Sequence, residues 1–493
     1  MPLSGTQVLT PPAAGTIVYT FTCNGVAGNA AVVVANPPTP APTVSLSLAP
    51  TSVAAGQPAT LTWSSTNATS CAASGAWAGN QGASGSLVVT QASAGTYTYS
   101  LSCAGAGGSA NGSVTLGVTS VVDNVATVVV DSGPASAGGN INVPYVSVTL
   151  CRPGTSTCQT IDHVLVDTGS YGLRIIAPGV LDPALGLPAV TSAAGNPMGE
   201  CAQFVSGYLW GSVRRADVRI AGETASSLSI QQVADTDAAF ARIPSGCSST
   251  GSNLGSVAAL GANGVFGVGL LNQDCGATCA AQIVSGTYYQ CAASGCSGST
   301  MPLASQVANP VAAFHADNNG VVLVMPAVGS TGATTLTGSL IFGIDTQTNN
   351  TIGSATVYAA NSSGNFTTTY KGVSSTSSFL DSGSNGLFFS DSSIPQCSAS
   401  SGFGGFYCPA TTLSLSAVNT SASGAASGTV SFTIVNPTVL DASVAAAALG
   451  GSNGRGSRSR AFDWGLPFFF GRPVYMAIDG AGTMHGRGPY WAY

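Results

Sequence analysis

Two stretches of this chain, 214 residues apart, carry the same eight-residue pattern. Val166-Asp167-Thr168-Gly169-Ser170-Tyr171-Gly172-Leu173 recurs as Leu380-Asp381-Ser382-Gly383-Ser384-Asn385-Gly386-Leu387. Each copy follows an apolar run, Val164-Leu165-Val166 in one and Phe379-Leu380 in the other, as a strand entering a tight turn does. The Asp is followed by a hydroxyl residue, then by a glycine that permits close backbone approach, then by a second hydroxyl able to donate to the carboxylate. In a chain with 64 glycines, one such tetrapeptide is weak evidence. Asp131-Ser132-Gly133 is the kind of match that accident produces, because Pro134 follows and has no hydroxyl. Two copies that also share the Gly and Leu beyond the tetrapeptide predict a duplicated unit, with Asp167 and Asp381 facing each other.

Composition sets the class of structure. Charged residues are 6% of the 493, against about 25% in an ordinary domain, and Lys371 is the only lysine. Gly, Ser, Thr, Ala and Val fill the deficit, a mixture that favours strands and turns and predicts a mostly β protein. The net charge is −6, and the one basic cluster is Arg455, Arg458 and Arg460 in a Gly/Ser-rich stretch, so nucleic acid is excluded as a partner. No apolar run approaches the roughly 18 residues that span a bilayer. Few helical stretches are expected, the clearest candidate being the short Ala-rich stretch 441–449. Strands are expected at 124–130 and 143–150.

A second repeat organises the front of the chain. Gly5, Thr10, Gly15-Thr16, Tyr19 and Cys23 recur 80 residues later as Gly85, Thr90, Gly95-Thr96, Tyr99 and Cys103. The second copy, 45–118, has several alternating strands, Trp63, Cys71 and Cys103, and resembles the immunoglobulin-like sandwich modules of bacterial extracellular proteins. The first copy holds only the back half of such a module. The partner of Cys23 would lie 32 residues upstream, before Met1, so the chain is expected to be truncated and to have lost a signal peptide with the missing segment. Cys23 is then left without a partner and the other twelve cysteines form six bridges. The expected organisation is a truncated Ig-like repeat at 1–36, a Pro-rich linker at 37–43, an Ig-like β-sandwich at 44–118, and two lobes at 119–330 and 331–493.

The paired Asp motifs resemble those of the pepsin-like aspartic peptidases, and the similarity covers roughly 124–493. In that family each lobe donates one Asp and packs an apolar-apolar-Gly segment behind its Asp loop. Val265-Phe266-Gly267-Val268 fits for the first lobe and Phe462-Asp463-Trp464-Gly465-Leu466, more loosely, for the second. Leu340-Ile341-Phe342-Gly343-Ile344-Asp345 is similar to the strand opening the second lobe, and the stretch 468–479 to the closing strand pair. A bacterial family of secreted proteins with unassigned function shares the same Asp-Thr-Gly-Ser pattern. The resemblance implies a bilobal double-β-barrel domain and a peptide or protein substrate. Asp167 and Asp381 would be the catalytic dyad, two carboxylates that share one proton and activate a water. Thr168 and Ser382 would cross-brace the loops, Ser170 and Ser384 would hydrogen-bond the outer carboxylate oxygens, and Gly169 and Gly383 would allow the approach.

Departures from the family pattern are concentrated at the flap. The family places a Tyr over the dyad from a Gly-rich hairpin, and the matching segment here is Phe204-Val205-Ser206-Gly207-Tyr208-Leu209-Trp210-Gly211. Phe204, Tyr208 and Trp210 are the flap candidates. Arg174 stands where the family has the Trp that anchors the flap. The pairs Cys275/Cys279 and Cys291/Cys296 lack a nearby His and read as disulfides rather than zinc ligands. Cys397 with Cys408 and Cys201 with Cys247 are further candidate bridges. His163, His315 and His485 are too scattered for a metal site, and no cofactor is expected. The competing reading is a non-catalytic surface protein or adhesin that uses the cleft and the Ig-like modules for binding. Either reading places the protein outside the cell or at its surface.

Overall fold

A computed structural model describes residues 5–119, 123–329, 331–440, 444–453 and 461–493. The chain divides into two compact units, Met1–Val121 and Val122–Tyr493. Strands dominate both, as the Gly/Ser/Thr/Val composition requires.

The first unit begins with the hairpin Gly15–Cys23 and Val26–Val34, whose Asn24-Gly25 turn has positive φ at both residues. Its second part is two facing sheets, one of three strands and one of five. Leu61, Trp63 and Val89 from the smaller sheet pack into one core with Tyr99, Leu101 and Leu116 from the larger. Strand alternation sends these residues inward and the intervening Ser and Thr outward. Cys71 and Cys103 are directly opposed in neighbouring strands of the five-stranded sheet, and their disulfide lies within that sheet rather than across the sandwich. Trp63 meets Trp77 edge-on at 5.1 Å and caps the core.

In the second unit the duplicated sequence is a duplicated topology. The strand Cys158–Asp167 runs parallel to Gly264–Val268, which is antiparallel to Tyr171–Ile176, which is parallel to Glu223–Val233. In the other half Val373–Asp381 runs parallel to Asp463–Gly465, which is antiparallel to Leu387–Phe388, which is parallel to Gly450–Gly451. The registers also correspond: Asp167 lies opposite Gly267 and Asp381 opposite Gly465. Val164, Val166, Phe266, Leu380 and Trp464 are fully buried in one core. Burial on both faces explains why these strands read as continuous apolar runs.

Between the halves, Val125–Val130 pairs with Pro144–Cys151 on one side and Leu336–Phe342 on the other. Gly320–Met325, Arg472–Ala477 and Tyr490–Ala492 extend that sheet, so both halves share it. The strands expected at 124–130 and 143–150 form within a residue of those bounds.

The helix expected over 441–449 is not formed in its described part. Residues 441–443 lie outside the described residues, as do Arg455, Arg458 and Arg460. The N–H groups of Val444 and Ala445 donate to Ala333 O, and Ala446 N–H donates to Asn142 Oδ1. These bonds hold a short bridge in place of a helical turn, because a few alanines cannot nucleate a helix against fixed tertiary partners.

Twelve cysteines form six disulfides: Cys71–Cys103, Cys151–Cys158, Cys201–Cys247, Cys275–Cys279, Cys291–Cys296 and Cys397–Cys408. Cys23 is free and exposed. No described helix is long and apolar enough to cross a membrane, which leaves strands unaddressed.

Candidate active site

Each Asp ends a buried strand, and the turn after it folds its donors back onto the carboxylate. Gly169 N–H donates to Asp167 Oδ1 at 2.8 Å and Ser170 Oγ to Oδ2 at 2.5 Å. Gly383 N–H donates to Asp381 Oδ1 at 2.8 Å and Ser384 Oγ to Oδ2 at 2.9 Å. The accidental match at Asp131 also binds its own glycine N–H at 2.8 Å, but its carboxylate pairs with His163 at 3.3 Å. The turn is therefore common; what distinguishes the other two is that they meet.

They meet through a reciprocal brace. Thr168 Oγ1 donates to Leu380 O at 3.0 Å and accepts from Ser382 N–H at 2.9 Å. Ser382 Oγ donates to Val166 O at 2.6 Å and accepts from Thr168 N–H at 3.1 Å. Both hydroxyls are buried, so each must find its partners inside the protein. The brace draws each loop glycine against the opposite carboxylate. A Cβ on Gly169 would lie 2.7 Å from the Asp381 carboxylate, and one on Gly383 would lie 2.8 Å from Asp167 Oδ1. Any side chain at either position would push the loops apart.

Each carboxylate thus lies against the glycine of the opposite loop, Asp381 beside Gly169 and Asp167 beside Gly383. Burial, then the negative charge of Asp167, then that of Asp463 hold the Asp381 carboxyl well above the usual carboxylate range. Two unit charges about 4 Å apart repel by roughly 4 kcal/mol at an intermediate effective dielectric, a repulsion that adds to burial in favouring a proton retained on the pair.

Two neighbours were not assigned a role from sequence. Tyr171 has its phenol pushed up to about 12, by burial first and then by the charges of Asp167 and Asp381. Asp463 sits behind the second loop with its Oδ2 2.7 Å from Ser384 Oγ. It belongs to the loosely matching segment, and a carboxylate inside an apolar run was the available signal.

The flap candidates part company. Phe204 closes the turn between Met198–Gln203 and Gly207–Ile220, and the Arg174 guanidinium lies 6.0 Å from its ring centroid. Tyr208 and Trp210 are instead 4% exposed each, packed with Phe240, Cys247, Tyr289 and Cys291. Trp210 Nε1 donates to Phe240 O at 3.0 Å. Leu209, on the other strand face, is also buried. With both faces of this strand packed, Tyr208 and Trp210 are core residues and not aromatics held over a cleft.

Arg174 ties two segments together. It donates to Tyr171 O at 2.6 Å and to Glu200 Oε1 at 2.6 Å, joining the first Asp loop to the hairpin strand Met198–Gln203. Asp274 lies 3.3 Å away and accepts from Tyr288. Burial, and then the adjacent Glu200, hold Asp274 well above the usual carboxylate range despite the guanidinium. The cysteines considered as zinc ligands are consumed in the disulfides Cys275–Cys279 and Cys291–Cys296.

Comparison with known proteins adds three findings. No curated protein matches the chain. Among solved structures, the aspartic proteinase from Irpex lacteus is similar with a TM-score of 0.41 and 16% identity, over 75% of this chain and 96% of that one. Residues 120–493 match the model of a family described as protein of unknown function (DUF3443), and the chain belongs to that family.

Proposed function

We propose that the second unit is an aspartic endopeptidase, with 119–330 and 331–493 as its lobes and Asp167 and Asp381 as its catalytic dyad. The observation that carries this reading is the reciprocal brace of Thr168 and Ser382, which holds two carboxyls together at the ends of two equivalent strands. Such an arrangement is costly for a scaffold, because it gathers like charges in a buried place. It is useful to a hydrolase that needs an acid and a base side by side.

In the proposed cycle the resting dyad carries one proton, held on Asp381, the carboxyl that burial and Asp167 raise. Asp167 accepts a proton from the attacking water as its oxygen adds to the peptide carbonyl carbon. Asp381 donates its proton to the carbonyl oxygen, giving a neutral tetrahedral diol. Collapse of the diol breaks the C–N bond, with a proton delivered to the leaving amine from Asp167 and the diol proton returned to Asp381. Ser170 and Ser384 hold the outer oxygens so that the inner ones face the substrate. Phe204, at the tip of the hairpin, is the flap residue on this reading.

The first unit is proposed to include an Ig-like module at 44–118, after a partial repeat at 1–36 and a linker at 37–43. Six disulfides fit an oxidising compartment. We accordingly place the protein outside the cell or on its surface. Incubation with denatured casein and a diverse peptide library at acid pH tests the proposal. Internal cleavage blocked by a pepstatin-type inhibitor, whose hydroxyl mimics the attacking water, is the expected result. No cleavage at any acid pH would sink it.

A further inference from the structure

The two halves of the site are not equivalent, and the difference is Asp463. In the first half Leu165 lies opposite Val265; at the corresponding place in the second, Phe379 lies opposite Asp463. Val265 is part of an apolar core, whereas Asp463 points a carboxyl at the second Asp loop. Ser170 has one carboxylate neighbour, Asp167, at 2.5 Å. Ser384 Oγ has two, Asp381 Oδ2 at 2.9 Å and Asp463 Oδ2 at 2.7 Å.

Proton counting makes this arrangement informative. A serine hydroxyl owns one proton and two acceptor lone pairs, so it cannot donate to both carboxyls at once. An ionised carboxylate only accepts. Two ionised carboxylates around one hydroxyl would leave one O···O contact with no proton in it, inside a buried site. At least one of the two must bring its own proton.

We infer that Asp463 is a third carboxyl of the site, a positioning residue that as the neutral acid donates to Ser384 Oγ and thereby commits the Ser384 hydroxyl to Asp381. The chain runs Asp463 O–H to Ser384 O, then Ser384 O–H to Asp381 Oδ2. Three carboxyls then hold two protons, one shared by the dyad and one on Asp463. The surroundings favour the neutral form. Asp463 is 9% exposed, and its Oδ1 is buried with no hydrogen-bond partner. Among the described residues, the charged groups acting on it are Asp167 and, through Ser384, Asp381, and none of these is a cation. Burial, followed at a distance by Asp167, pushes its carboxyl up to about 8, with Ser384 opposing. Above that pH Asp463 ionises and competes for the Ser384 proton. Asp381 then loses a donor and gains a negative neighbour.

This inference deepens the peptidase reading, and its test is chosen not to depend on turnover. The full chain is labelled with 13Cγ-Asp and its carboxyl resonances are followed from about pH 3 to 10. In the wild type one carboxyl should titrate near pH 8, at the value of about 8 set by burial, and the Asp381 resonance should inflect at the same pH. Asp463→Asn, whose amide still donates to Ser384, should abolish both events. Ser384→Ala should keep the Asp463 step, moved to higher pH, and shrink the echo at Asp381 to the part carried through space by the Asp463 charge. Asp463 titrating with the ordinary carboxylates near about pH 4 overturns the inference. So does an Asp381 resonance that ignores the Asp463 step, even if either variant fails to fold. If the titrations are as expected and no peptide is cleaved, the peptidase reading fails and the three-carboxyl unit stands. If peptides are cleaved and the step near pH 8 is missing, the reverse holds.

Discussion

Removing the Ser382 hydroxyl tests the brace on which the site depends. Ser382→Ala deletes the acceptor of Thr168 N–H and the donor to Val166 O, and nothing in a buried site replaces either. Each of the two bonds contributes about 1 kcal/mol net, and a buried N–H left unpaired adds a further 1–3, so the loss should be about 3–5 kcal/mol. Thr168→Val, nearly isosteric, removes the mirror-image pair of bonds and should cost a similar amount. Urea denaturation followed through Trp464, stacked at 4.3 Å on Phe462 in the second unit's core, reports this region. Because the two hydroxyls stabilise the same loop contact, the double variant should lose less than the sum of the singles, by roughly 1 kcal/mol or more. Strictly additive losses, or a Ser382→Ala loss within about 0.5 kcal/mol of zero, would refute the idea that the two loops are held as one unit.

Further consequences follow from the same geometry. Gly383→Ala, which forces a methyl toward the Asp167 carboxylate, should abolish peptide cleavage while circular dichroism shows the strands intact. Arg174→Met strands Glu200 and Asp274 as buried carboxyls and should destabilise the second unit by about 3–5 kcal/mol, read by the same urea transition. Asp463 ionises near 3.8 when unfolded but near 8 when folded, so the folded state binds the extra proton between those values. Stability should therefore fall as pH rises through that window, by up to about 1.4 kcal/mol per pH unit from this group, and Asp463→Asn should flatten the slope. Thiol labelling of the unreduced protein should mark Cys23 alone.

The parts legible in the sequence are those whose chemistry fixes residue type at close spacing. The Asp loops belong to this class, since carboxyl, hydroxyl and glycine are all needed within four residues. The close cysteine pairs Cys275/Cys279 and Cys291/Cys296 do as well, with separations of 4 and 5 residues that favour a local bridge. What failed depended on distant partners. Tyr208 and Trp210 look like free aromatics beside a turn, and only the arrival of Phe240 and Tyr289 makes them core. Arg174 announces that a flap-anchoring Trp is gone, but its partners lie 26 and 100 residues further on. The alanines after 443 favour a helix locally and are overruled by Ala333 and Asn142, more than a hundred residues away. Asp463 was visible as a charge in an apolar segment, but its role needed the Ser384 hydroxyl beside it.

The most direct test of the central claim is the pH dependence of peptide hydrolysis by the wild type, Asp167→Asn and Asp381→Asn. Asn keeps the volume of Asp but cannot supply the missing protonation state. The wild type should show a bell-shaped acid profile, because only the singly protonated pair has both a base for the water and an acid for the carbonyl. Each single substitution should abolish turnover with the fold retained. Undiminished hydrolysis by Asp167→Asn, or an inactive wild type across about pH 2 to 7, would contradict the account.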